Sequence, residues 1–252
     1  MRLSCFGPWW LRRVLLRGLA VLAAGPVVAE NPDPVRVGWA GSLHAVHRGD
    51  HDSVITVNPP LAEPGLVAIG VGAGLDGEIT VVDGEAHVAI VRFGRLAERA
   101  VDGSSATKAA FLAWAHVPEW GEATVLSSDI PDLATLDRIV AEHVTRAGLP
   151  TDEPVPFVIE GMIESVKFHV LSGPPRTAGA DHRESAMNLH AGNVPARLVG
   201  FHSTRHAGVV THRGSNTHAH VIEASGRSGH VDAVAIAAGA RLRVPVGPIV
   251  RE

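Results

Sequence analysis

The chain of 252 residues is 46% hydrophobic and carries a net charge of −4, which allows one large core or two small ones and offers no basic surface for nucleic acid. Its single cysteine, Cys5, lies near the N-terminus, so neither disulfides nor thiol chemistry are expected of the rest. Tyrosine is absent and phenylalanine scarce, so Ala, Val and Gly are left to do the packing.

At the N-terminus Arg12 and Arg13 precede an apolar run, residues 14–29, interrupted by Arg17, Gly and Pro. Val27-Val28-Ala29 offers a small-residue cleavage site before Glu30. This is the pattern of a secretory signal over residues 1–29; a membrane span is the alternative, disfavoured because the run is short and interrupted. Residues 12–17, R-R-V-L-L-R, also resemble a twin-arginine export signal, with Leu15 and Arg17 where that pattern has Phe and Lys. The expectation is an exported protein, periplasmic or extracellular, with no membrane contact once the signal is removed.

Residues 30–35 are Pro-rich and expected to be disordered, and residues 37–46 read as a short apolar helix or strand ending at Arg48-Gly49-Asp50. Residues 52–64, with Pro59, Pro60 and Pro64, read as loop, and 65–72 as an apolar run with three glycines. Gly74-Leu75-Asp76-Gly77-Glu78 is a turn feeding a strand at 79–82; Asp83-Gly84 turns the chain into another at 87–93, an antiparallel hairpin. Periodicity does not decide between helix and strand for 108–116. Residues 133–147 form the clearest helix, with Asp132 as cap, Leu133, Leu136, Ile139, Val140 and Val144 near helical spacing, and Gly148-Leu149-Pro150 as the stop. Strands follow at 155–159 and 165–171, then a polar loop at 173–192, then short strands at 197–202, 209–212, 217–224, 230–237 and 241–246. The class is α+β. Residues 30–150 make a mixed or antiparallel sheet half with one main helix. Residues 151–252 make a β-barrel-like half that carries the metal site.

Six of the 15 histidines lie between His202 and His230. His218 and His220, two apart on a strand, share one face. Three neutral imidazoles with an open position are the donor set of a catalytic Zn²⁺ or another divalent ion. Spacing alone leaves His230 open. A tight hairpin loop at 225–229 would set it opposite Ala224, ~13 Å from His220 at ~3.3 Å per residue, so sharing one ion requires a wider turn or staggered strands. His202, His206 and His212 read as supporting or surface residues. His44, His47, His51, His182 and His190 read as surface loop residues, and Trp39, Trp114 and Trp120 as core or subunit contacts.

Two other readings compete. Gly214-x₃-His218-x-His220-x₂-Glu223 with Gly239-x₅-Pro245-x-Gly247 approaches a cupin pattern, in which Glu223 is a ligand and His230 is not; Val250 stands where its last histidine belongs. A His-rich β-surface also suits a non-catalytic exported metal-binding protein. No nucleotide- or phosphate-binding loop is visible, so no organic cofactor is expected.

Several short segments carry a resemblance in their order. They are Leu43 to Asp50 (L-H-A-V-H-R-G-D), Leu75-Asp76-Gly77-Glu78 with Asp83-Gly84, Pro156-Phe157 with Gly161 and Val166-Lys167, Leu198-Val199-Gly200-Phe201, and His218-Ala219-His220 with Gly229-His230-Val231. The set resembles the acetolactate decarboxylase family. The resemblance implies a zinc enzyme that converts 2-acetolactate, a small 2-hydroxy-3-keto acid, to acetoin and CO₂. It implies His218, His220 and His230 as ligands, Glu78 near the metal, and a homodimer. The family has an arginine shortly after V-K, suited to holding a carboxylate; here His169 takes that place, with Lys167 nearby. The family also has a glutamate in a C-terminal tail, for which Glu252 is the substitute on offer.

Overall fold

The computed structural model describes residues 31–57, 60–99, 101, 106–175, 177 and 181–252. The expected export signal lies outside the described residues. Pro32–Glu252 cluster as one compact unit. Among the described residues no helix is long and apolar enough to cross a membrane.

The first sheet takes β1 (Val35–Ala40), β2 (Ile55–Val57), β3 (Leu66–Gly72), β4 (Glu78–Val82), β5 (Glu85–Arg92), β6 (Arg95–Arg99) and β7 (Thr107–His116). A short helix, α1 (Leu43–His47), follows β1, capped by the Ser42 hydroxyl accepting from the Ala45 amide at 3.1 Å. The second sheet takes β8 (Thr124–Val125), β9 (Val155–Val170), β10 (Met187–Ala191), β11 (Val194–His202), β12 (Thr217–Glu223), β13 (Ser228–Ile236) and β14 (Arg241–Arg243). Between β8 and β9 runs α2 (Leu133–Arg146), where the Asp132 carboxylate accepts from the Thr135 amide at 2.7 Å, as an N-cap should. The last strand, β15 (Ile249–Arg251), returns to the first sheet and pairs parallel to β1. That pair makes the first sheet mixed, in the order β15-β1-β7-β3-β4-β5-β6.

In the second sheet β11, β12, β13 and β9 pair in turn, and β11 pairs again with β9, closing a four-stranded barrel. The α+β class and the barrel-like second half are borne out. Period-two alternation assigns the barrel's two faces. Ile159, Leu198 and Val221 pack with Leu136, Val140 and Val144 of α2. Their neighbours Val158, Val199 and Ile222 face Ile69 and Phe111 of the first sheet. Both faces are covered, so these strands read as unbroken apolar runs. His218 and His220 share the face of Ile222 and therefore point between the two sheets.

Several local expectations need correction. Residues 37–46 hold both β1 and α1, and 52–64 include β2 and a single-turn helix, Pro60–Ala62. Residues 108–116 are strand, because β7 lies centrally and pairs with both β1 and β3. The two strands expected around Gly161 are one strand of 16 residues, β9. The loop at 173–192 contains a helical turn, His182–Ser185, and β10. Residues 209–212 form a turn rather than a strand. There the Gly208 amide donates to the Thr211 carbonyl and the Val210 amide to the His206 carbonyl.

Candidate metal centre

Three neighbouring strands of the barrel set histidines side by side. His220 of β12 lies opposite His230 of β13, and His230 lies opposite His169 of β9. Of the arrangements that spacing left open, staggered strands are the one found, so His230 faces His220 and not Ala224. The hairpin closes ahead of 225–229, with Ile222 opposite Ser228 and the Glu223 amide bonded to the Arg227 carbonyl at 3.0 Å. Gly226, at φ +87°, makes that short connection feasible. The His220 and His230 ring centres are 5.7 Å apart, and those of His218 and His230 5.0 Å.

Both residues of the H-x-H pair are held through one nitrogen, with the other left without a hydrogen bond. His218 Nδ1–H donates to the Val210 carbonyl at 2.9 Å, and His220 Nδ1 shares a 2.8 Å hydrogen bond with the Thr80 hydroxyl. Each buried Nε2 has no hydrogen-bond partner. That is how a ligating histidine is oriented, with its outer nitrogen bonded and its inner lone pair exposed. Burial pushes both imidazoles well below their usual pKa, and the neighbouring histidines add to this. Burial takes His230 down to about 3 as well, against the opposing influence of Asp232. All three are thus neutral and competent as donors.

Glu78 enters on β4 beneath this row. The turn before it depends on Gly77, at φ +99°, where a Cβ would lie 2.2 Å from the Ala89 carbonyl oxygen. Glu78 is 1% exposed, and neither carboxyl oxygen makes a hydrogen bond. Burial pushes its pKa well above the carboxylate range, only partly offset by the Leu171 amide, which lies near the carboxyl without reaching hydrogen-bond geometry. Its Oε2 is 3.9 Å from His220 Nε2.

His169, buried at 4% exposure, donates through Nδ1–H to the Asp232 carboxylate at 2.9 and 3.0 Å. Asp232 occupies a β-bulge in β13. Burial works against its charge, but the hydrogen bonds from His169 and the nearby His230, 3.8 Å away, outweigh it and hold the carboxyl far below its usual range. A cavity of about 520 Å³ opens between the sheets, lined by Glu78, His169, His212, His218, His230 and Asp232 among apolar side chains including Leu43, Val71 and Leu171. His220 sits behind its wall.

The site includes residues the sequence reading set aside. His212 brings Nε2 to 2.7 Å from His230 Nε2, and the potential donor atoms of His212, His218 and His230 all lie within 4.8 Å of one another. His47 lines the cavity and stacks on His212 at 5.9 Å. Arg183 lines it too, 3.9 Å from Asp232. Thr80 and Asp232 each stand two residues from a predicted site residue on the same strand, so period-two reasoning could have found them. Nothing in the local pattern marks His212 or Arg183, which come from turns. Glu223, the ligand under the cupin reading, shares the opposite strand face with Val221 and bonds to Arg227 and Ser225, away from the histidines. Glu252 lies at Trp114, whose Nε1–H donates to it at 3.0 Å, and near Arg36.

A sequence profile of the alpha-acetolactate decarboxylase family matches residues 40–247. The chain belongs to the alpha-acetolactate decarboxylase family. Among solved structures it is similar to an alpha-acetolactate decarboxylase from Bacillus subtilis strain 168, at 14% identity and a TM-score of 0.66, over 86% of this chain and 88% of that one. It is also similar to an acetolactate decarboxylase from Bacillus subtilis subspecies spizizenii, at 15% identity and a TM-score of 0.65, over 86% and 89%. A Staphylococcus aureus protein of unknown function, itself similar to alpha-acetolactate decarboxylase, matches at 15% identity and a TM-score of 0.64, over 86% and 88%. At these identities the likeness establishes the fold. No curated protein sequence matches the chain. The family is one of carboxy-lyases, which makes a small molecule the expected substrate.

Proposed function

We propose that this family member is a zinc-dependent decarboxylase of a 2-hydroxy-3-keto acid, with 2-acetolactate the first candidate and acetoin and CO₂ the products. The observation that carries this is the pair of buried, unbonded Nε2 atoms on His218 and His220, next to His230 and an unbonded buried Glu78. The donor set suits a borderline ion such as Zn²⁺. His218, His220 and His230 would hold it.

Loss of CO₂ leaves an electron pair that must pass into the neighbouring carbonyl; a divalent ion at the histidines supplies the Lewis-acid pull for that. Glu78, whose burial favours the protonated form, carries a proton on a carboxyl oxygen at the cavity wall and can deliver it to the carbon that lost CO₂. Asp232 fixes the His169 ring through Nδ1, so His169 meets the cavity with its Nε2 edge. Arg183 gives the cavity a permanent cation whose planar guanidinium can pair with a substrate carboxylate through two hydrogen bonds, which an imidazole cannot do. The apolar wall excludes water from the reacting centre. The motif over residues 12–29 supports export, with the reaction taking place outside the cytoplasm.

The test is to measure zinc per chain in the purified protein and acetoin released from racemic 2-acetolactate, with His230→Ala as control. One zinc per chain and acetoin release, both lost in the variant, are expected. Zinc without acetoin would sink the substrate assignment and keep the metal centre.

A further inference from the structure

The turn between β11 and β12, residues 203–216, is anchored on two sides. The Leu43 amide donates to the Val209 carbonyl at 3.1 Å and the His44 amide to the Gly208 carbonyl at 2.7 Å, tying the turn to α1. Within it, the amides of Val209, Val210 and Thr211 converge on the His206 carbonyl at 3.0 to 3.2 Å. On the other side, the Val210 carbonyl accepts the His218 Nδ1–H. Two residues beyond Val210 the same turn carries His212 into the cavity, its ring centre 4.8 Å from those of both His218 and His230. One segment thus orients a predicted ligand and adds an imidazole beside it.

We propose that His212 binds the same ion as the histidines of the sheet, as a fourth imidazole supplied from a turn. The inference rests on the metal-centre reading above. Its geometric basis is the 2.7 Å contact between His212 Nε2 and His230 Nε2, with His218 completing a trio of nitrogens within 4.8 Å. Two imidazole nitrogens at 2.7 Å share one proton. An ion with Zn–N bonds of ~2.0–2.1 Å in tetrahedral geometry keeps its ligands ~3.4 Å apart. The pair must therefore part by ~0.7 Å when an ion replaces the proton. A side chain on a turn can yield that distance, whereas His220 is held in register between β11 and β13.

The consequence is a distinction among the ligands. Four imidazoles close the coordination sphere, as in structural zinc sites, while catalysis needs an open position. With four imidazoles bound, the turn-borne His212 would be the ligand able to yield a position, while the strand-borne histidines would stay.

Zinc-edge X-ray absorption on the zinc-loaded full chain counts imidazole ligands, and competition with a chelator of known affinity gives the zinc Kd. Four imidazoles are expected in the parent and three in both His212→Ala and His212→Asn. Zinc Kd should rise at least about tenfold in each variant. Three imidazoles in the parent, with the Kd of both variants within about twofold of it, would overturn the proposal and leave the three-histidine centre standing. A parent chain that binds no zinc overturns both. The parent's ligand count decides the matter even where a variant fails to fold.

Discussion

The floor and the rim of the cavity are built on opposite terms. On the floor and just behind it, Glu78, His218 and His220 are buried with polar atoms that meet no partner, and burial suppresses charge on all three. At the rim, Asp232 is ionised and hydrogen-bonded by His169, and Arg183 pairs with Asp181 and approaches Asp232. An unsatisfied buried polar group costs about 1–3 kcal/mol. The fold maintains several on the floor and none of the same kind in the Asp232–His169 pair. Floors of this sort are kept for a ligand that satisfies them, while the rim already satisfies itself. The same contrast recurs within one turn: Asp76, two residues before Glu78, faces outward and is matched by Arg92 and Arg99.

The sharpest way to break this contrast is Glu78→Gln. Acetoin formation should fall by about 10²–10⁴ with zinc content unchanged, as expected for loss of a proton donor. The thermal midpoint should hold or rise, because a neutral amide replaces an unpartnered ionisable group. A fall in stability comparable to loss of a paired carboxylate would show that Glu78 belongs to the packing rather than to the ligand.

A rim change should cost less. Asp232→Asn leaves a hydrogen-bond acceptor near His169 but removes the charge that orients it. We expect kcat/KM to drop about 10–100-fold, mostly in kcat, with zinc still bound. An unchanged kcat would make Asp232 a purely structural residue of the bulge.

The smallest effect is expected outside the cavity. The Arg92 hydrogen bond, joined by Arg99, holds the Asp76 carboxyl below its ordinary value of 3.8. The pair is partly exposed, so Asp76→Asn should reduce stability by less than about 1 kcal/mol at neutral pH. A depressed folded pKa contributes stability that is complete above the unfolded value and lost as pH falls through the folded one. Denaturation of parent and variant should therefore differ at pH 7 and converge as pH drops below about 3.8. A difference that persists under acid would mean the pairing is not what Asp76 contributes.

Part of the site could be read along the strands. The H-x-H pair on one face is a period-two statement, whereas Glu78 after the L-D-G-E turn and His169 after V-K came from the family resemblance; each side chain stands at the cavity or its wall. The partner of each was harder to read. The register that sets His230 against His220 depends on where the hairpin closes, which Gly226 decides and which composition leaves open. Residues 155–171 contain Gly161, which suggests a break. Yet the strand runs through, because the glycine's missing side chain is what admits Ala240 at its face; a Cβ there would lie 2.6 Å from that residue's own.

By itself the sequence determined the class, the helix from Leu133, the hairpin of β4 and β5, and a pair of imidazoles on one strand face fit for a divalent ion. These follow from local rules: alternation, capping, and the spacing of donors along one strand. Only the tertiary structure decided that the barrel closes through β11 and β9, that His220 lies behind the cavity wall, and that two turns bring His212 and Arg183 to the same space. The physical reason is range. Strand geometry reaches two residues along the chain, while a turn's side chains are aimed by what the turn docks on, here α1 and the face between the sheets, and no local pattern encodes that.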